Sequence, residues 1–137
     1  MASGVSVNDT CQQAYQDMKL KKTSRYIIFK LSDDLKEVVV DKQSSDTDYD
    51  IFLADLPATE PRWAVYDVEF EKDGGKRNKL AFVSWSPEDA KIKAKMVYAS
   101  SRDVLRRSMD GIACEIQATS SDEVAWDSVL DKASRGR

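Results

Sequence analysis

No histidine occurs among the 137 residues, and cysteine occurs only at Cys11 and Cys114. The missing imidazole excludes Ser-His-Asp and Cys-His catalysis and every metal site that uses a histidine ligand. The two cysteines fall on a predicted helix and a predicted strand, read as core residues, and suit a reducing, intracellular setting. No apolar run approaches the length of a membrane span. The opening Met1-Ala2-Ser3-Gly4-Val5-Ser6 has neither a basic n-region nor an apolar h-region, so neither secretion nor membrane insertion is expected. Gly4 is not directly after Met1, where N-myristoylation requires a glycine. Net charge is only −3, so general attraction to nucleic acid is not expected, and an anionic partner must be met by a local basic patch.

What remains is 42% hydrophobic and 33% charged, the composition of a soluble globular chain with one well-buried core and not of a disordered one. Residues 1–7 read as a flexible arm and residues 8–137 as one domain. A helix is expected from Asn8, its N-cap, with Cys11, Ala14, Tyr15 and Met18 on one face and Lys19, Lys21 and Lys22 at its end. Strands are expected over 25–31 and 35–40, joined by Ser32-Asp33-Asp34, and residues 41–46 read as a polar loop. A short helix over 47–56 ends at Pro57. The next strand, 63–71, alternates as if only one face were buried, with Ala64, Tyr66, Val68 and Phe70 inside. Asp73-Gly74-Gly75 turns into a strand over 76–85 whose first half is basic. A fifth strand over 112–118 precedes a last helix with a capping box of Ser120 and Glu123. The order αββαββαβα makes an α/β (α+β) domain: a central five-stranded mixed β-sheet flanked by helices on both faces.

The stretch 91–109 organises the rest. Ser86-Pro87 is a helix-start signal, and Gly111 sits where helices stop. Steps of 100° put Ala94, Val97, Tyr98, Ser101, Val104, Leu105 and Ser108 on a small, apolar, core-facing side. The other side carries Ile92, Met96 and Ala99 among Lys95, Arg102, Asp103, Arg106 and Arg107, with Lys93 at the boundary. Two readings fit: a charged surface helix with incidental apolar residues, or a helix that packs on its own sheet and offers its outer face to a protein partner.

Catalytic and metal chemistry find no foothold. Asp46-Thr47-Asp48-Tyr49-Asp50 imitates an EF-hand start, but Ile51 and Pro57 stand where glycine and glutamate are needed. Gly74-Gly75-Lys76 lacks phosphate-loop spacing, no carboxylate pair is singled out, and no base is identified for Cys114. No enzyme activity, catalytic residue, cofactor or metal is expected.

At this point the sequence resembles the actin-depolymerising factor/cofilin family. The matching segments are Ser3-Gly4-Val5, Tyr49-Asp50, Leu56-Pro57, Ala64-Val65-Tyr66-Asp67, Glu69-Phe70 and Gly75-Lys76-Arg77-Asn78-Lys79. Trp85-Ser86-Pro87, Lys95-Met96-Val97-Tyr98-Ala99-Ser100-Ser101, Asp103-Val104-Leu105-Arg106-Arg107 and Ile116-Gln117-Ala118-Thr119 complete the match. The likeness covers nearly the full length, in a short form without the basic insertion that serves longer forms as a nuclear-import signal. It implies a single ADF-homology domain that binds ADP-actin monomers and filaments, severs and depolymerises filaments, and works as a cytoplasmic monomer at the actin cytoskeleton. It implies one contact region for monomers and filaments, built from Ser3, Gly4, Val5, Ile92, Lys93, Lys95, Met96, Arg102 and Asp103. A second, for filaments, combines Arg77 and Lys79 with Asp131, Lys132 and Arg135. Ser3 matches the family's inhibitory phosphorylation position, with Ser6 as the nearby alternative. Anionic phosphoinositide headgroups are a further expected ligand, at the cations around Lys93, Lys95 and Arg107. The family often has Pro-Val/Ile-Arg/Lys-Ser-Lys at the helix start; here it is Lys91-Ile92-Lys93-Ala94-Lys95, which lets the helix begin a turn earlier, from Pro87. A protein that sequesters monomers or decorates filaments without cutting them is the nearest rival.

Overall fold

A computed structural model describes residues 4–135, and Met1, Ala2 and Ser3 lie outside the described residues. Two hairpins and one crossover account for most of the sheet. Strand β2 (Tyr26–Leu31) pairs antiparallel with β3 (Glu37–Ser44), and β4 (Arg62–Lys72) pairs antiparallel with β5 (Gly75–Trp85). The β4–β5 turn is the two-residue Asp73-Gly74, with φ of 55° and 81°, the left-handed pair that matches strand twist in a tight hairpin. Strand β6 (Ile112–Ala118) runs parallel to β5, and a parallel pair needs a long crossover. Helix α3 (Ile92–Arg107) is that crossover.

Among the described residues the sheet has six strands, not five, in the order β1-β3-β2-β4-β5-β6. The added strand is β1 (Ser6–Val7), parallel to β3 and held by Ser6 N–H to the Lys36 carbonyl and Asn8 N–H to the Val38 carbonyl, both 3.0 Å. It lies within the segment expected to be a flexible arm. Two residues carry no periodicity, and only the free edge of β3 gives them a partner.

Helix α1 (Asp9–Lys21) begins at Asn8, whose side chain accepts from Thr10 N–H, and buries Cys11, Ala14, Tyr15 and Met18. It shares one face of the sheet with α3, over Ile27, Phe29, Val65 and Phe82. On the other face α2 (Tyr49–Asp55) and α4 (Trp126–Arg135) cover Tyr26, Ile28, Tyr66, Val68 and Val83. There, Tyr49, Phe52, Tyr66 and Trp126 stack edge-on or tilted, with centroids 5.0–6.4 Å apart.

Several local expectations give way to tertiary pairing. Residues 41–44, read as loop, continue β3 because Tyr26 and Ile27 of β2 lie opposite Ser44 and Gln43. Strand β4 is buried on both faces from Trp63 to Val68, not on one. Asp67 is 5% exposed, and its carboxylate accepts from Asn78 at 3.1 Å and faces Lys22 at 3.6 Å. A non-local cation and amide thus meet the charge that alternation assigns to solvent. Helix α3 starts at Ile92 with Lys91 as N-cap, not at Pro87, because residues 87–90 form a separate turn closed by Ala90 N–H on the Pro87 carbonyl. The expected Ser120 cap is replaced: the Glu123 carboxylate accepts from Thr119 N–H and Oγ, and a 3-10 turn, Ser121–Val124, precedes α4.

Leu105 is fully buried under α3. Leu105→Ala is expected to lower stability by about 2–5 kcal/mol in urea unfolding, the range for deleting a packed leucine side chain; a loss under about 1 kcal/mol would contradict the buried face assigned to α3.

Candidate functional site

Helix α3 is two-sided. Leu105 and Ser101 are buried, Val97 and Tyr98 are half-buried against the core under the helix, and Val104 is half-buried. The Tyr98 hydroxyl accepts from Leu31 N–H at 3.0 Å, and its ring lies 4.6 Å from that of Trp63. On the outer side Ile92 is 74% and Met96 65% exposed, which with Leu20 makes them the most exposed large apolar side chains among the described residues, far more so than Leu35 or Ile51 at 41%. A helix that leaves Ile and Met in water four residues apart presents a continuous apolar strip. Lys93, Ala99, Ser100 and Arg107 are exposed around it. Lys95 is half-buried, and its ammonium donates to the Glu88 carbonyl at 2.9 Å.

Two of the expected flanking cations point inward. The Arg102 guanidinium donates to Glu115 and, at 3.0 Å, to Asp103; its Nε reaches the Ser84 hydroxyl at 3.2 Å, and its plane lies 5.4 Å from the Phe82 ring centroid. Arg106 donates to the other oxygen of Glu115 at 2.8 Å and to the Met109 carbonyl at 3.1 Å. Asp103 remains exposed. Arg102 is therefore engaged with its own sheet, and Glu115 is a residue the helix pattern missed. Strand alternation holds the signal: Glu115 is opposite Phe82, on the face that α3 covers, and two arginines four apart stand above it.

The arm reaches the same region. Gly4 is exposed at φ 78°, but Val5 is 8% exposed and packs into the α1/α3 core, so its side chain is not available as an outward contact. Ser3 is outside the described residues; Ser6, the alternative phosphate acceptor, is exposed on β1.

The second expected group is brought together at the far end of the sheet. From residue 68 to residue 79, β4 and β5 have no flanking strand among the described residues and project as a two-stranded ribbon. Arg77 is exposed on it and Lys79 half-buried. The Lys72 ammonium donates to the Ser134 carbonyl of α4 at 2.9 Å, closing a groove lined by Phe70, Lys72, Arg77, Lys79 and Ser134. Beside it Asp131, Lys132 and Arg135 are exposed, with Arg135 paired to Asp131 at 2.9 Å. Lys132 and Lys79 both flank Cys114, where burial raises the thiol's pKa and the two ammoniums oppose the rise.

Among the described residues no group of three or more His, Cys, Asp or Glu could hold a metal ion, and no helix is long and apolar enough to cross a membrane. Cys11 is 1% exposed, and burial first, then the Glu37 charge, raises its thiol pKa to about 11. In the folded protein an iodoacetamide reagent at pH 8 is expected to modify Cys114 well before Cys11, whose thiolate fraction there is about one in a thousand. Peptide mass spectrometry over a time course checks this; equal rates would contradict the α1 packing.

A family model described as "Cofilin/tropomyosin-type actin-binding protein" matches residues 4–134. A curated cofilin of Mycosarcoma maydis is 56% identical over 136 residues, covering 98% of each chain. The crystal structure titled Streptomyces griseoflavus cofilin superposes with a TM-score of 0.93 at 59% identity, over 98% of this chain and 100% of that one. Plasmodium berghei actin depolymerization factor 2 gives 0.86 at 29% identity, over 97% and 98%.

Proposed function

The chain belongs to the cofilin/tropomyosin-type actin-binding family, and from that premise we propose that it binds actin monomers and filaments and promotes filament depolymerisation and severing. The single observation that carries the residue-level reading is the exposure of Ile92 and Met96 on an otherwise anchored helix. Met96 and Ile92 form the apolar centre of the contact, desolvated on docking, and supply most of the affinity. Lys93, Lys95 and Asp103 lie at its rim and set orientation and association rate. Gly4 and the backbone leading to β1 border the same surface, because β1 lies beside α3.

The ribbon and the end of α4 form the filament-specific contact, through Arg77, Lys79, Asp131, Lys132 and Arg135. Two separated surfaces on one domain let a single molecule touch two subunits of a filament. Severing then needs no bond chemistry. Binding energy that differs between two filament twists shifts the filament toward one of them and weakens its junctions with bare segments. The protein acts as a monomer at the cytoplasmic actin cytoskeleton, without catalysis. Anionic phosphoinositide headgroups compete for the cations beside α3.

Co-sedimentation with actin filaments tests the reading. The parent is expected to pellet with filaments. Met96→Ala is expected to weaken binding on the order of tenfold, as for a central apolar anchor, and Lys93→Ala/Lys95→Ala several-fold with a flatter salt dependence. Absence of binding by the parent would overturn the function, and unchanged binding by both variants would overturn the surface. Ser3→Glu, which mimics the negative charge a phosphate would add, is expected to weaken monomer binding at least several-fold in a fluorescence titration; parental affinity would remove the switch.

A further inference from the structure

An apolar contact holds a helix on a sheet but resists rolling about the helix axis weakly, because hydrophobic burial has no direction. A forked, charge-assisted pair does resist it. Helix α3 has one such restraint on its C-terminal half, the Glu115 carboxylate, with one oxygen on Arg102 and the other on Arg106. Its N-terminal half has no side-chain cap and no such fork, only single bonds from Leu31 N–H to the Tyr98 hydroxyl and from the Lys95 ammonium to the Glu88 carbonyl, and it carries the exposed Ile92 and Met96. Arg102 lies roughly a third of a turn from Met96 around the axis, so any roll at the clamp is transmitted to the strip. A roll of about 20° moves a side chain at the helix perimeter by roughly 2 Å, enough to spoil close packing against a partner.

Arg102 is also committed elsewhere. Its three nitrogens donate to Glu115, Asp103 and Ser84, its plane covers Phe82, and its side chain is 19% exposed. Turning it toward another protein would break all of these at once and leave Glu115 with Arg106 alone.

We propose that Glu115 is a positioning residue for the α3 contact surface, and that Arg102 supports actin binding by bridging to Glu115 and not by touching actin. The inference rests on the reading of α3 as the actin-facing helix. Arg102 and Arg106 thereby leave the list of rim charges. The outer face keeps Lys93, Lys95, Asp103 and Arg107, and Glu115, on a strand edge, sets the angle at which they and Met96 are offered.

The test is a mutant cycle read by fluorescence titration of actin monomers. Glu115→Gln and Arg102→Ala are each expected to weaken binding about fivefold, and the double variant no more than either alone, because both break one bridge. Both variants are expected to keep the parent's salt dependence, whereas Lys93→Ala flattens it. Glu115→Gln added to Met96→Ala is expected to weaken binding less than twofold, since the side chain it orients is gone; a general loss of folding would cost the same in either background. Thermal midpoints measured alongside identify any variant that is simply unfolded at the assay temperature, and for such a variant Arg102→Lys, which keeps the charge but not the fork, is expected to show the same fivefold loss. Multiplying effects of Arg102→Ala and Glu115→Gln, a flattened salt dependence for Arg102→Ala, or parental affinity for Glu115→Gln would each overturn the proposal. If the parent binds and Met96→Ala weakens it while Glu115→Gln does not, only this proposal fails. If the parent does not bind at all, the actin reading itself fails first.

Discussion

Strands β5 and β6 point the same way, so the chain that leaves Trp85 has to travel back along the sheet before it can enter Ile112. Everything distinctive about the molecule follows from that return. It must be about as long as the strands, it must lie against one sheet face, and its other side is left over. In α3 the inner side is closed with Leu105, Ser101 and Tyr98, while Ile92 and Met96 on the outer side stay exposed among the described residues. A parallel pair at the sheet's edge therefore creates, as a topological by-product, a helix with a spare face near the rim. The functional reading uses that spare face.

The rest of the fold keeps α3 from being absorbed. Helix α1 occupies the neighbouring part of the same sheet face, and Met109 and Tyr15 seal the join between them. The Tyr15 hydroxyl and the Lys19 ammonium both donate to the Asp110 carbonyl, tying α1 to the turn that follows α3. With its C-terminal end fixed in this way, α3 has no room to sink its outer strip into the core. The opposite sheet face carries the aromatic cluster under α2 and α4, so the two sides of the molecule are stabilised separately.

Most of this was legible locally. The 3.6-residue period put Leu105 inside and Met96 outside, the Asn8 cap located the start of α1, and the Asp73-Gly74 pair located the hairpin. What was not legible depends on partners far away in the chain. Strand β3 runs on through 41–44 only because β2 lies alongside, and β1 exists only because β3 has an open edge. Asp67 is inside because Lys22 and Asn78 come to it. Arg102 and Arg106 looked like rim charges in a helical projection and are structural because Glu115 arrives from β6. Proline statistics suggested a start at Pro87, but the turn 87–90 satisfies its own backbone and postpones the helix to Ile92.

The outer part of the β4–β5 ribbon, which leans on α4 through Lys72 and Ser134 but pairs with no third strand among the described residues, has a mechanical meaning. A sheet resists bending because each strand is held on both sides, while a lone pair of strands is the most compliant form of β-structure and twists most readily. Arg77 sits on that compliant finger, whereas Met96 rides on a stiff strut. A molecule gripping two neighbours would then hold one firmly and the other through a spring, and could stay attached to both while the angle between them changes.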